Sequence, residues 1–145
     1  MAHADLNSLF DTVLSFAKLM LGEHGEFYPF GATMSPSGEI TNVGAKVKGD
    51  HHPPSQTLID LLTGAFQEKA ANGQIRAAAI CYDARTIPPG ETRKTDAVCC
   101  GLEHRSGESV DVFIPYKKTS DNGFQYGDFS RRNELLFSSL ARLFR

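Results

Sequence analysis

The stretch "GEFYPFGATMSPSGEITNVGA", residues 25–45, has the pattern of a β-hairpin. Alternation with a period of two predicts a strand on each side of a central turn. On the first strand one parity holds Tyr28, Phe30, Ala32 and Met34, and the other holds Phe27, Pro29, Gly31 and Thr33. Residues 35–38, Ser-Pro-Ser-Gly, predict the turn, since proline presets one dihedral and glycine allows a positive φ. Residues 41–47 alternate in the same way and are predicted to form the return strand.

The two faces of this hairpin have different expected neighbours. The parity of Tyr28 and Phe30 is predicted to meet the first helix. Phe27 lies on the other parity. Either a second helix covers this face, or Phe27 belongs to an interface. Pro29 cannot donate to a ladder, so we expect an edge or a bulge near it.

Helices are predicted on both sides of the hairpin in the sequence. Before it, apolar residues recur every three or four positions, with Asp5 or Asn7 as the starting cap and Gly22 at the end. The residues of this apolar face are Leu6, Leu9, Phe10, Val13, Phe16, Ala17, Met20 and Leu21. After it, Ser55 follows two prolines and is predicted to cap a second helix, which Asn72-Gly73 ends.

Three predicted strands and a last helix complete the chain. The strands cover residues 75–83, 95–104 and 109–116, and residues 117–129 are predicted to be a loop. Ser130 is then predicted to cap a helix that carries Leu135, Leu136, Leu140 and Leu143. The order α-β-β-α-β-β-β-α predicts one α+β domain over residues 1–145, with helices packed on a five-stranded antiparallel sheet.

Composition limits the classes of function. The net charge is −2, so there is no basic excess to attract a phosphate backbone, and nucleic-acid binding is disfavoured. No apolar stretch reaches the ~18 residues that span a bilayer. The start of the chain lacks the pattern of a signal peptide, and three cysteines make a poor disulfide framework. We therefore expect a cytoplasmic protein with free thiols and no membrane partner.

No pattern in the sequence reaches the strength of a catalytic or metal signature. Asp50, His51 and His52, with His24 or His104, are the candidates for a metal site, but neighbouring residues in an extended segment point in opposite directions. A solvated loop is the simpler interpretation. No glycine-rich phosphate loop occurs, and we predict no cofactor.

The possible nucleophiles and bases also have structural interpretations. The three cysteines, Cys81, Cys99 and Cys100, lie in predicted strands, where cysteine packs as a small apolar residue. Glu103 and His104 point to opposite faces and form no relay by themselves, so we expect charge pairs with Glu108 or Asp111 instead. We predict no catalytic residue, and a non-enzyme is favoured, although an enzyme is left open.

Five residues are candidate contacts for a partner. Two polar and aromatic loops supply four of them, and the hairpin supplies the fifth. They are Phe27, Arg85, Arg93, Phe124 and Tyr126. The alternative is that the late aromatic residues fold back and cover the edge of the sheet.

The order of elements resembles that of the roadblock and profilin-like group, and the segments "FYPFGA", "KTDAV" and "VFIPYKK" are similar to those of small bacterial proteins without an assigned function. The resemblance implies a five-stranded sheet between helices. It also implies either a dimeric scaffold or partner of small GTPases, or a domain that holds a small ligand against the sheet.

Our leading hypothesis is a non-enzymatic binding or scaffold module. We expect it to be a homodimer joined at the sheet edge or at the helix beside it, with more than ~1,000 Å² buried. The alternative is a small-ligand-binding domain or an enzyme with a pocket between sheet and helix.

Overall fold

Two helices and seven strands are formed by the residues that the computed structural model describes, which are 2–45, 49, 53–87, 90, 92–121, 123–128, 130–132 and 143. The helices are α1 (Ala2–His24) and α2 (Ser55–Ala71). The strands are β1 (Phe30–Met34), β2 (Ile40–Gly44), β3 (Ala77–Thr86), β4 (Thr95–His104), β5 (Ser109–Lys118), β6 (Phe124–Tyr126) and β7 (Ser130–Arg132). The α+β class is therefore confirmed.

All strands belong to one antiparallel sheet with the order β2-β1-β3-β4-β5-β6, and β7 pairs with β5 as well. The expectation of five strands was wrong, because residues 124–126 and 130–132 are strands rather than loop and helix cap. Both pair with the outer side of β5, at its last and its central residues. Three-residue strands between turn-forming residues give almost no periodic signal, which explains the error.

One face of the sheet is covered by α1. The residues of α1 that were predicted to form its apolar face include five that are fully or almost fully buried, which are Leu6, Leu9, Val13, Ala17 and Leu21. They pack against alternate residues of the strands, among them Ala32, Met34, Ala79, Val98 and Val112. The apolar face of the helix, with residues three or four apart, and the apolar face of the strands, with residues two apart, therefore pack into one core.

The opposite face is covered by α2 over β1 and β3. Ile59, Leu62 and Phe66 pack there against Ala78 and Ile80. Gly31 of β1 leaves room for the Phe66 ring, since a Cβ at this position would lie 2.7 Å from that ring and 2.6 Å from the carbonyl oxygen of Ala79. The second helix therefore covers the Gly31 face of the hairpin.

The predictions for Phe27 and Tyr28 were wrong because β1 begins later than the sequence pattern indicates. The strand starts at Phe30, so the alternation does not extend back to these residues. Phe27 is only 8% exposed and lies in the core beneath α1, where its ring meets that of Phe30 edge-on at 5.9 Å. Tyr28, which was expected in that core, is 41% exposed.

The predicted helix caps also differ from those observed. Helix α1 begins before Asp5, which lies in its first turn. The N-cap of α2 is Pro54, without a side-chain hydrogen bond, and Ser55 is the first helical residue. Ser130 begins β7. This strand continues to Arg132, and after it only Leu143 of the predicted last helix is among the described residues, partly buried against the α2 side of the sheet.

Candidate functional site

A cluster of acidic and aromatic side chains lies at one end of the sheet face that α1 covers. We call it the Tyr116 cluster, and its members are Lys18, Asp83, Tyr116, Phe124 and Tyr126. The hydroxyl of Tyr116 donates to both carboxylate oxygens of Asp83, at 2.8 Å and 2.9 Å. Tyr116 lies on β5 and Asp83 on β3, so this contact spans the intervening strand β4.

The electrostatics of the Tyr116 cluster keep its proton on the tyrosine. Burial raises the pKa of Asp83, and the charges of Asp96 and Glu26 raise it further, while the hydrogen bond from Tyr116 opposes the shift. Burial and the neighbouring Asp83 raise the pKa of Tyr116 as well. The phenol therefore stays neutral and acts as a hydrogen-bond donor over the physiological range of pH.

The aromatic part of the cluster is half exposed and has a charged neighbour. Phe124 and Tyr126 are partly buried on β6, with ring centroids 5.8 Å and 6.2 Å from that of Tyr116. The ammonium of Lys18 lies 4.6 Å from the centroid of the Tyr126 ring, within the range of a cation–π contact. Such a surface offers flat apolar area with a carboxylate close by.

The five predicted contact residues occupy three different environments. Phe124 and Tyr126 are brought together in the Tyr116 cluster, as part of an additional strand that extends the sheet. Arg85 lies on an exposed part of β3, 3.7 Å from the carboxylate of Asp96, and Arg93 is exposed in the segment before β4. Phe27 is buried and offers little surface to a partner.

A second polar network ties the start of α1 to the sheet. Asp5 is buried, and its two carboxylate oxygens accept hydrogen bonds from Arg76 at 2.8 Å and from His104 at 2.9 Å. Arg76 also donates to the carbonyl of Pro36 in the hairpin turn at 2.9 Å. One carboxylate therefore connects α1 with the β1–β2 turn, the start of β3 and the end of β4.

Both nitrogens of the His104 ring are engaged in this network. The backbone N–H of Ser106 donates to Nδ1 at 3.1 Å, so Nε2 carries the proton and donates to Asp5. Burial opposes ionisation of Asp5, but the hydrogen bonds from His104 and Arg76 outweigh it and lower the pKa of this carboxyl. An imidazole held in this way orients a helix and has no free nitrogen for a substrate. Its partner is Asp5, and neither Glu108 nor Asp111 takes the place that we expected.

The cysteines occupy both faces of the sheet, as the strand pattern predicts. Cys81 and Cys100 lie in the core beneath α1, and Cys99 lies on the other face with Ala97 and Phe113. All three are buried free thiols. Burial raises the pKa of Cys81 well above its ordinary value and raises that of Cys99 to about 12. These pKa values disfavour the thiolate that a nucleophile requires.

The proposed metal ligands are not gathered in the described structure. His24 is exposed at the end of α1 beside Glu23, whereas His104 is buried in the network at the other end. Asp50, His51 and His52 lie outside the described residues. Within the part of the chain that is described, no group of three or more potential metal ligands occurs.

Sequence reasoning missed both networks because their members are far apart in the chain. The sequence predicts Asp5 as a possible helix cap and indicates no role for Arg76 or Asp83. Asp5 is 71 residues from Arg76 and 99 from His104. The available signal was an Asp in the first turn of an apolar helix together with a His at the end of a strand, a pattern too common to indicate a contact.

Among the described helices, none is long and apolar enough to cross a membrane. Comparison with known proteins adds no relationship, since no family model, no curated protein and no solved structure matches this chain. The resemblance to the roadblock and profilin-like group therefore stays a prediction from the order of elements.

Proposed function

We propose that this chain is a non-enzymatic binding or scaffold module that forms a homodimer through strand β2. The observation that carries the proposal is the outer edge of β2, which no other described strand pairs with. Strand β2 is one of the two terminal strands in the strand order, and its five residues, Ile-Thr-Asn-Val-Gly, contain no charge and three β-branched side chains. Edge strands that must avoid pairing usually carry charges or proline.

The backbone of β2 is suited to pairing with a second copy of itself. The N–H of Ser35 donates to the carbonyl of Glu39 at 2.8 Å, which sets the alternation of the hairpin ladder. Thr41 and Val43 therefore bond to β1. The outward backbone groups belong to Ile40, Asn42 and Gly44.

A two-fold axis at Asn42 would place Ile40 opposite Gly44 of the second copy. All outward groups would then be paired in an antiparallel ladder, and the contact would be isologous, as a closed dimer requires.

The other edge of the sheet supports the same conclusion by contrast. Strands β6 and β7 both cover the outer side of β5. In the described ranges, β2 has β1 on one side and no strand on the other. The edge opposite β2 is thus formed by two strands of only three residues each, whereas β2 offers five residues for pairing.

The state of the reactive groups favours binding over chemistry. His104 uses both ring nitrogens in the structure, and the pKa values of Cys81 and Cys99 are raised by burial. These groups therefore stabilise the fold and are not poised for acid–base or nucleophilic work.

The dimer is tested by sedimentation velocity over a concentration series of the wild type and two variants. Asn42→Pro removes an outward N–H without taking a bond from β1, and it should shift the protein to monomer. Asn42→Ala keeps that N–H and should stay dimeric. Phe27, the candidate partner contact in the hairpin, is buried, so a substitution there would disturb the core and not the edge.

A wild type that stays monomeric at high micromolar concentration refutes the dimer. Dimers that persist in Asn42→Pro, with an unchanged circular dichroism spectrum, refute the role of β2.

The alternative function, small-ligand binding, is favoured by one observation. The Tyr116 cluster combines two half-exposed rings with a carboxylate whose pKa is raised by burial. A ligand there would be flat and apolar with a hydrogen-bonding group. Tyr126→Ala should weaken its binding while leaving sedimentation unchanged, which separates the two functions.

A further inference from the structure

The core beneath α1 contains two thiols directly opposite each other on neighbouring strands. Cys81 of β3 and Cys100 of β4 are register partners. Their sulfur atoms are 3.4 Å apart, with the Cys100 thiol donating to the Cys81 sulfur. Both are reduced, and both are at most 1% exposed.

The ladder places this pair at a non-hydrogen-bonded position. The N–H of Arg105 donates to the carbonyl of Arg76 at 2.9 Å, and these residues continue the β3–β4 register by one step beyond the strand ends. Hydrogen-bonded and non-hydrogen-bonded pairs alternate in an antiparallel ladder. Because Arg76 and Arg105 form a hydrogen-bonded pair and Cys81 is an odd number of residues from Arg76, the pair of Cys81 and Cys100 is non-hydrogen-bonded. The other side of β4 agrees, because His104 bonds to Glu108 there and Cys100 follows the same parity.

Non-hydrogen-bonded positions have the geometry that a disulfide requires. Their Cα atoms are about 4.5 Å apart, which lies within the span of about 4.4–6.8 Å found for disulfides. The sulfur atoms would approach from 3.4 Å to bonding distance by rotation about the Cα–Cβ bonds. Cys99 points to the opposite face and cannot reach Cys81.

We propose that Cys81 and Cys100 form a modification site, at which a peroxide converts the two thiols into an intramolecular cross-strand disulfide. One sulfur attacks the peroxide, the O–O bond breaks, and a sulfenic acid and water form when hydrogen peroxide is the oxidant. The second thiol then attacks the sulfenic sulfur. The S–S bond forms, the S–O bond breaks, and a second water leaves. The two thiols lose two electrons and two protons in total, and the peroxide is reduced.

The position under α1 determines the rate of this reaction. The oxidant must reach buried sulfur, so oxidation follows local opening of α1 from the sheet. Burial also raises the pKa of the Cys81 thiol, so thiolate is scarce at neutral pH. We therefore expect a slow reaction that accelerates with rising pH and with Asp5→Asn, which loosens the attachment of α1.

Peptide mass spectrometry of the intact folded protein tests the proposal. Hydrogen peroxide is added under native conditions, remaining thiols are alkylated, and trypsin is used without reduction. Cleavage after Arg76, Arg85, Lys94 and Arg105 isolates Cys81 in residues 77–85 and the other two cysteines in residues 95–105. We expect these peptides to be joined, with one free thiol left per chain.

Cys99→Ala is the matched control that assigns the bond. It should still yield the joined peptides, whereas Cys100→Ala should not. Wild type that retains three alkylated thiols after prolonged exposure, with loss of peroxide shown in a small-thiol control, overturns the proposal. So does a bond that involves Cys99, or one that appears only in denaturant. Because the wild type and Cys99→Ala decide these outcomes, poor folding of Cys100→Ala does not remove the test.

Discussion

Replacing the buried carboxylate of Asp5 by an amide is the most direct test of how α1 is held on the sheet. In Asp5→Asn, the amide offers one acceptor oxygen where the carboxylate offered two, and its NH₂ group faces a donor from either Arg76 or His104. One charge-assisted hydrogen bond is lost, and Arg76 loses its counter-charge. Because Arg76 is 24% exposed and keeps its bond to Pro36, water and that carbonyl offset part of the cost. We expect a loss of about 2–4 kcal/mol in the free energy of unfolding near neutral pH.

The stability difference between wild type and Asp5→Asn should also depend on pH, which allows a second, independent check. The pKa of Asp5 is lowered in the folded state from the value of 3.8 expected for an unfolded chain. A lowered carboxyl pKa contributes stability that is fully present above the unfolded value and is lost as the pH falls through the folded one. Asparagine does not titrate, so the difference between wild type and Asp5→Asn should shrink at pH values below 3.8.

Urea denaturation followed by circular dichroism measures both effects. Asp11→Asn is the matched control, since Asp11 is an exposed acid on the same helix. It should change stability by less than about 0.5 kcal/mol. If Asp5→Asn matches this control near neutral pH, or if its deficit is unchanged at low pH, Asp5 does not hold α1 in the way described.

Three further predictions concern packing and the Tyr116 cluster. Leu62→Ala should cost about 2–5 kcal/mol in thermal or urea unfolding because Leu62 is buried between α2 and the sheet, and an unchanged melt would contradict the packing of that helix. Gly31→Ala should cost at least ~1–3 kcal/mol, since its Cβ has no room, whereas Gly64→Ala, with open space around it in α2, should not destabilise the protein in the same assay. Tyr116→Phe removes the bond that opposes the effect of burial, so NMR titration should show the pKa of Asp83 rising further, and an unchanged or lower value would count against the cluster.

The sequence predicts those parts of the fold that depend on local pattern. The apolar stripe of α1, the turn at residues 35–38 and the opposite faces of Cys99 and Cys100 follow from spacing and turn chemistry alone. The start of β1 could not be predicted, because Phe27 and Tyr28 have the composition of a strand but precede the residues that pair. Strands β6 and β7 exist because β5 offers an unpaired edge, which is a tertiary cause without a local signal.

The candidate site was predictable only in its exposed half. Phe124 and Tyr126 were identified as aromatic residues in a polar segment, and they do lie together. Their partners Tyr116 and Asp83 come from other strands, and only the register of the sheet brings them within hydrogen-bond distance. A periodic pattern indicates which face a residue occupies, but it does not indicate which distant residue shares that face.

The long sequence separation within the Asp5 network has a consequence for synthesis of the chain. Helix α1 leaves the ribosome before the strands on which it packs, and His104, which holds it, is made 99 residues after Asp5. At a synthesis rate of about 5–20 residues per second, the apolar face of α1 is made roughly 5–20 s before His104. During this interval the helix and the unpaired side of β1 are available to chaperones. In stalled nascent chains of graded length, α1 should resist protease only once β4 has emerged from the exit tunnel.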